Sequence, residues 1–388
     1  MALKRPVVAI VAPEYPPAVG GMERYASEIA RGLNDRGFEL VVFTRKTADT
    51  ETGEPFPIVR GLIGVWASDE RTISNWPGRV DIWHVMNGAW AWLALHHENV
   101  MISIHGNDFL NPNAVAGFGL KSRLCLPFSS RLDFYLSRWR TPRVMRRAFP
   151  VARHIIANSR YVESLFLQRN PKCRGKTSVG HVGVAKRFFG LQLAPPPDRN
   201  RIRLITVCRL SEARKNVDLV IRALGQLKDR YSFTYTVVGD GDLLNTLQEL
   251  SHELGLAKRV TFTGRSTDAE LVALLSESDL FILTSTCSHK NVEGFGIVYL
   301  EANACGVPVL AMRSGGAVEA VKEGITGMFV DDLTVSAIGR TLSRYFNGEV
   351  GFDREACRSF AQSFTWDRVA DHVAGSYSSV LEETSGRF

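Results

Sequence analysis

Apolar and polar positions along this chain follow two alternating periods. Short, nearly continuous apolar runs at Pro6 to Ala12, Glu39 to Thr44, Val80 to Met86, Val100 to Ile104 and Arg153 to Ala157 predict buried strands. Between them the apolar spacing is helical, over Met22 to Gly37, Gly88 to His96 and Ser159 to Arg169. Residues 191–200 interrupt the pattern, because Ala194-Pro-Pro-Pro-Asp-Arg-Asn200 can continue neither a ladder nor a helix. A second alternation follows, with strands at Arg203 to Cys208, Thr234 to Val238, Val260 to Thr263 and Leu280 to Leu283. Its helices are Val217 to Leu227, Leu243 to Leu254 and Asp268 to Ser276, and Trp366 to Leu381 closes the chain as a helix. Strands alternating with helices predict parallel sheets covered on both faces. The expected fold is therefore α/β, two doubly wound Rossmann-like domains at 1–190 and 201–365 with a linker at 191–200. Ligand loops at the strand ends would then line a cleft between the domains.

Size agrees with this division, since 388 residues, 45% of them hydrophobic, exceed one compact core and fit two. The six cysteines (Cys125, Cys173, Cys208, Cys287, Cys305, Cys357) form no C-x-x-C pair and no metal spacing, as expected of reduced, packed thiols in a cytoplasmic protein. Val7 to Ala12 has no cleavage site after it, and no apolar stretch approaches the roughly 18 residues a membrane span needs.

One stretch carries most of the chemistry. Ile282 to Val309 reads ILTSTCSHKNVEGFGIVYLEANACGVPV, placing Glu293 and Glu301 eight apart across a Gly294-Phe295-Gly296 turn. An apolar strand, a polar loop, a glycine turn and a helix with apolar Ile297, Leu300 and Ala304 follow in order. The first amides of such a helix have no partner within it and its dipole is positive there, so main chain can hold an anion or a ring of hydroxyls. Glu301 is expected about two turns along that helix. Two carboxylates suit a polyhydroxylated ligand, because each accepts hydrogen bonds from vicinal hydroxyls. On these grounds alone any polyol or nucleotide qualifies. Val207-Cys208-Arg209-Leu210 ends a strand, and Lys215-Asn216 follows as the next helix begins, which brings two cations and free amides toward one point.

The Glu293-Gly294-Phe295-Gly296, Glu301-Ala302, Ala304, Gly306 and Pro308-Val309 string resembles the donor-site signature of glycosyltransferase family 4, retaining enzymes of the GT-B fold. The resemblance implies a domain pair facing a deep cleft, with the C-terminal helix (366–388) crossing back to the first domain. It implies that Glu293 and the backbone at Gly294, Phe295, Gly296 and Ile297 hold the donor sugar. Glu301 would bind the ribose of the sugar nucleotide, and Arg209 and Lys215 its diphosphate, stabilising it as it leaves. Gly239-Asp240-Gly241 is a further family mark, and Arg265, after Gly264, lies where the family's backbone meets the base. Asp240-x-Asp242 is read as part of a glycine turn rather than a metal-binding acid pair. In the first domain, Gly20 and Gly21 would approach the donor phosphate, and His105 of the His105-Gly106-Asn107-Asp108 motif would stand by the reaction centre. His84, His96 and His97 are read as structural. No cofactor and no metal are expected, positive side chains replacing the metal.

Charge changes the picture in one place. Lys121 to Phe149 holds eight cations against one acid, an excess equal to the +7 of the whole chain. Lys121, Arg123, Arg131, Arg138, Arg140, Arg143, Arg146 and Arg147 interleave with Phe128, Leu132, Phe134, Tyr135, Leu136 and Trp139. Two readings stay open: a solvated helix pair with its apolar side in the core, or a face that enters an anionic membrane surface. Nucleic acid is not expected, since no recognised motif accompanies the charge. The expected activity is transfer of a hexose from a GDP- or UDP-linked donor to a hydroxyl acceptor. That acceptor would be a glycolipid or polyprenyl-diphosphate saccharide in bacterial surface polysaccharide assembly, with the protein peripheral at the inner face of the plasma membrane. A sugar nucleotide epimerase, a phosphorylase and a non-catalytic sugar-nucleotide sensor are the alternatives.

Overall fold

A computed structural model of the protein describes residues 5–17, 20–46, 53–64, 66–111 and 141–385. The chain divides into two units. The first comprises Met1–Gly183, His289–Gly294 and Trp366–Phe388, and the second Val184–Ser288 and Phe295–Thr365.

The first unit is built on a seven-stranded, all-parallel sheet of β1 (Val7–Val11), β2 (Glu39–Arg45), β3 (Ile58–Leu62), β4 (Ile82–Val85), β5 (Val100–Ile104), β6 (His154–Ala157) and β7 (Thr177–Val179). Their spatial order is β3-β2-β1-β4-β5-β6-β7. The central strands are the continuous apolar runs, and β1, β4 and β5 bury essentially every residue, as a sheet covered on both faces requires. The edge strands β3 and β7 escape the apolar-run rule because IVRGL and TSV are only half-buried there. Gly88–Leu95, read from the sequence as a helix, is a 3-10 turn started by Asn87, whose side chain accepts from Ala89 N. Its GAWAWLAL is apolar on every side and packs into the core rather than presenting one face.

Helix α1 (Gly21–Asp35) packs against the C-terminal helix, Trp366–Ser385. Gly32 makes this possible, since a Cβ there would lie 2.7 Å from that of Ala370. Arg36 then donates to the Asp371 carboxylate and the Asp367 carbonyl, each at 2.8 Å. The last helix thus belongs to the first unit although the residues before it belong to the second.

The second unit repeats the plan with six parallel strands: β8 (Ile202–Val207), β9 (Phe233–Val238), β10 (Val260–Gly264), β11 (Leu280–Leu283), β12 (Val309–Met312) and β13 (Gly327–Val330). Their order, β10-β9-β8-β11-β12-β13, has the same reversal as the first sheet, between β8 and β11 here and between β1 and β4 there. A separate core, including Leu204, Ile221, Tyr235, Ile282 and Leu342, fills it. Residues 191–200 lie on this unit, where Arg358 donates to the Leu191 carbonyl at 2.7 Å and Arg199 to that of Tyr345. The described residues include no helix long and apolar enough to cross a membrane.

Candidate active site

In the second unit the chain leaves β8 and β11 in opposite directions, the point where doubly wound sheets take ligands. The two loops are sewn together. Asn216, in a left-handed conformation (φ 54°), donates from Nδ2 to the Thr284 carbonyl at 2.6 Å and the Arg214 carbonyl at 2.9 Å. Thr286 N donates to the Arg214 carbonyl at 2.9 Å. Asn tolerates this backbone better than most residues, and from it the helix Val217–Leu227 begins. Arg209 and Lys215 also line a pocket of about 550 Å³ between this helix and the helix Leu244–Glu253, where Glu212, Asp218, Glu249 and Glu253 stand among the lining residues. Arg209 is 79% exposed and available to an anion, and the structure adds an acid that the sequence reading did not weigh. Glu212 pairs with Arg214 at 2.6 Å and with Arg209 at 3.5 Å, holding both guanidinium groups by one carboxylate.

The Gly239-Asp240-Gly241 turn buttresses this loop. Leu210 N donates to the Asp240 carbonyl at 2.9 Å, and a Cβ on Gly239 (φ 144°) would lie 1.8 Å from the Cys208 carbonyl oxygen. Only glycine allows that approach. Asp240 accepts from its neighbour Gly241 N at 2.8 Å and lies 3.5 Å from the exposed Arg265.

After β11, Gly296 (φ 86°) caps the helix Ile297–Ala304 with no side-chain bond to its first amides. Glu301 is buried at 2% exposure and sits just over one turn into this helix, not two, because the helix starts only at Ile297. Phe295 turns its ring into the core against Phe364, so what it can offer a ligand is backbone.

Glu293 and Gly294 group instead with the first unit, where they lie against the carboxyl ends of β5 and β6. Ser159 Oγ donates to the Gly294 carbonyl at 2.6 Å while accepting from Val162 N at 3.0 Å as the cap of helix Arg160–Arg169. Asn107 Oδ1 accepts from Val292 N at 2.7 Å. Gly294 is so close to the strand ends that a Cβ would lie 2.4 Å from the His105 carbonyl oxygen and 3.0 Å from Asn158 Nδ2. Glu293 is buried at 9% exposure, unlike an ordinary solvated loop acid.

His105 follows β5 directly. Asp108 fixes its backbone, taking His105 N at 3.0 Å on one oxygen and Gly88 N at 2.7 Å on the other. The ring packs edge-on to Tyr25 at 4.7 Å and bonds the Met86 backbone, leaving Nε2 buried and unpartnered. Burial lowers its pKa, outweighing Asp108 and the Met86 bond, so the ring is neutral and Nε2 is an acceptor. His84 is structural: fully buried, it bonds Tyr377 Oη at 2.6 Å and Ser103 Oγ at 2.9 Å, and burial takes its pKa down to about 3. Ser103 continues to Tyr25 Oη at 3.1 Å, so a polar chain runs from the last helix to the residue packed on His105. His96 pairs with Glu70 and His97 lies over Trp83.

Gly20 and Gly21 open α1 with no side-chain cap, and a Cβ on Gly21 would meet nothing within 4 Å. Glu23 folds back over Gly20, its Oε2 2.5 Å from where a Cβ would stand. In the basic segment, 141–148 is helical: Arg143, Arg146 and Arg147 are exposed while Met145, Ala148 and Phe149 enter the core. Lys121, Arg123, Phe128, Arg131, Leu132, Phe134, Tyr135, Leu136, Arg138, Trp139 and Arg140 lie outside the described residues, as does Cys125.

The sequence reading named Asp108, Ser159 and Asn216 within motifs or helices without assigning them a fastening role, and it missed Glu212 altogether. Ser159 had a signal, as a serine directly before an apolar-periodic helix. Asp108 and Asn216 each add a contact distant in sequence, to Gly88 and Thr284, whereas the Glu212 pairs with Arg209 and Arg214 are local.

Two family models match this chain, "Glycosyltransferase Family 4" over residues 19–186 and "Glycosyl transferases group 1" over 194–363. The chain belongs to glycosyltransferase family 4. A GDP-mannose-dependent alpha-(1-6)-phosphatidylinositol monomannoside mannosyltransferase of Mycolicibacterium smegmatis is 43% identical over 161 residues, which are 38% of this chain. That match covers only 42% of the relative's own length. A D-inositol 3-phosphate glycosyltransferase of the same species is 25% identical over 95% of this chain and 88% of its own. Among solved structures, sucrose-phosphate synthase from Thermosynechococcus elongatus superposes with a TM-score of 0.75, at 19% identity, covering 98% of this chain and 100% of the other. The fold is that of the GT-B glycosyltransferases.

Proposed function

We propose that this protein is a retaining, metal-independent glycosyltransferase that moves a hexose from a nucleoside diphosphate sugar to a hydroxyl. The observation that most supports this is that Arg209 and Lys215 stand on the loop leaving β8, which Asn216 fastens to the loop leaving β11 at the β8–β11 reversal, in a family member. GDP-mannose is the first donor to test, because the mycobacterial relative is named for it. The acceptor we propose is a lipid-linked saccharide or glycolipid; phosphatidylinositol monomannoside and D-inositol 3-phosphate, after the names of the two relatives, are the first acceptors to test.

In the second unit, Arg209, Lys215 and the open amides at Ile297 neutralise the departing diphosphate, and Glu301 takes the ribose. In the first unit, Glu293 accepts from the sugar's hydroxyls, and neutral His105 offers Nε2 beside the anomeric centre. The bond from the anomeric carbon to the phosphate oxygen breaks as the acceptor oxygen bonds to the same face of that carbon. The acceptor proton passes to the departing phosphate, so configuration is retained without an enzyme nucleophile. The test is incubation of purified protein with a donor panel, NMR of the product's anomeric configuration, and repetition in chelator. Inversion or chelator-sensitive turnover rejects the mechanism, and donor isomerisation without transfer favours the epimerase. Glu293→Ala with unchanged turnover removes the sugar assignment. No turnover with any donor leaves the sensor reading.

Peripheral docking of the protein at the cytoplasmic membrane face is proposed from the outward row Arg143, Arg146 and Arg147. Flotation with anionic vesicles is expected to fail when all three become Ser, and unchanged flotation rejects docking through them.

A further inference from the structure

Parallel strands β5 and β6 pair Ile104 with Ala157, so His105 and Asn158 leave the sheet side by side. Asn158 N donates to the Ile104 carbonyl at 3.2 Å, extending the ladder by one bond. Asn158 is 7% exposed, and its Oδ1 is buried without a hydrogen-bond partner. Capping does not explain it, because Ser159 performs that task for the helix that follows. Nor does fastening of the Glu293–Gly294 segment, which Ser159 and Asn107 accomplish. Asn158 instead borders Gly294, with Nδ2 3.0 Å and Oδ1 3.4 Å from where a Cβ on Gly294 would stand. His105 Nε2 is likewise buried and unpartnered. Buried polar groups in folded proteins are nearly always satisfied, and two open ones on adjacent strand ends, beside Gly294, point to a ligand that completes them.

We propose that Asn158 is a further substrate-contacting residue of this site, its carboxamide hydrogen-bonding one hydroxyl of the transferred sugar. The inference rests on the proposed transferase activity and deepens it: Asn158 sets which hydroxyl pattern is accepted. A hydroxyl both donates and accepts, so it can meet either end of the amide. A site built around that bond rejects a sugar lacking the hydroxyl, because the amide is then left unpaired in a dry place.

The experiment measures kcat/KM of wild type and Asn158→Leu with the donor that turns over and with its four singly deoxygenated derivatives. Wild type is expected to lose about tenfold to a hundredfold on one deoxy donor. Asn158→Leu is expected to lose a similar factor on the parent donor and nothing further on that derivative. Affinity for the free nucleoside diphosphate, which lacks the sugar, stays within twofold, and the thermal midpoint without ligand stays level or rises. Should the leucine variant not fold, Asn158→Ala gives the same readouts. An active wild type whose deoxy-donor profile is unchanged by either variant overturns the assignment of Asn158 and leaves the transferase reading standing. So does a variant in which nucleoside diphosphate affinity falls as far as kcat/KM, since that marks a structural role. A wild type that turns over no nucleoside diphosphate hexose overturns both.

Discussion

The two sheets share one strand order, yet their loop ends are finished in different ways. In the first unit, the loops after β4, β5 and β6 are fastened by buried side chains, Asp108 and Ser159, and the open groups that remain are uncharged: His105 Nε2 and the Asn158 amide. In the second unit, glycine turns and the buried Asn216 side chain fasten the loops, and the side chains left exposed are cations, Arg209 at 79% and Arg265 at 83%, each with one carboxylate 3.5 Å away. Neutral acceptors in a dry setting suit sugar hydroxyls, whereas exposed guanidinium groups suit phosphate. One topology thus carries two kinds of loop end, according to whether the side chains left at the strand ends are neutral and buried or cationic and exposed.

The contrast breaks most sharply if the cations of the second unit prove dispensable. Arg209→Ala combined with Lys215→Ala is expected to lower kcat about 10³-fold with little change in stability, read by steady-state kinetics beside thermal melting. Next comes the backbone fastening. Gly239→Ala places a Cβ against the Cys208 carbonyl and is expected to cost about 3–5 kcal/mol in denaturant unfolding, while a cost below about 1 kcal/mol would show that the turn can shift.

In the first unit, the buried network gives stability a pH dependence. His84 titrates near 3 when folded, below the roughly 6.5 of an unfolded histidine, so only the unfolded chain takes a proton between those values. Its contribution is whole above pH ~6.5 and shrinks as pH falls, by about 2 kcal/mol at pH 5. His84→Gln should flatten that part of the stability curve. Smallest is Asp108→Asn, which leaves one of two backbone donors without an acceptor, at about 1–2 kcal/mol of stability. A loss of activity larger than this stability change would show how far His105 depends on its backbone clamp.

The central strands of the first sheet, and β8, β9 and β11 of the second, were legible because two-sided burial writes itself as an apolar run, whereas central β12 (Val309–Met312) was not read as a strand. Of the edge strands, Val260–Gly264 was read from the sequence, while Ile58–Leu62, Thr177–Val179 and Gly327–Val330, at five residues or fewer, were not. Glu293, Glu301, Arg209, Lys215 and His105 were legible as a family pattern at strand-to-helix junctions. The depth of Glu301 was misjudged because Gly296, in a left-handed conformation, delays the helix start.

The sequence by itself determined the two alternating α/β halves, the family, and which charged groups stand at strand ends, because these depend on local period and short motifs. Only the tertiary structure decided that Glu293 and Gly294 lie against the first unit's strands and that Asp108, Ser159 and Asn216 are fasteners. It also decided that Asn158 is left open beside His105. These depend on hydrogen bonds between segments as many as 185 residues apart, which no local pattern records.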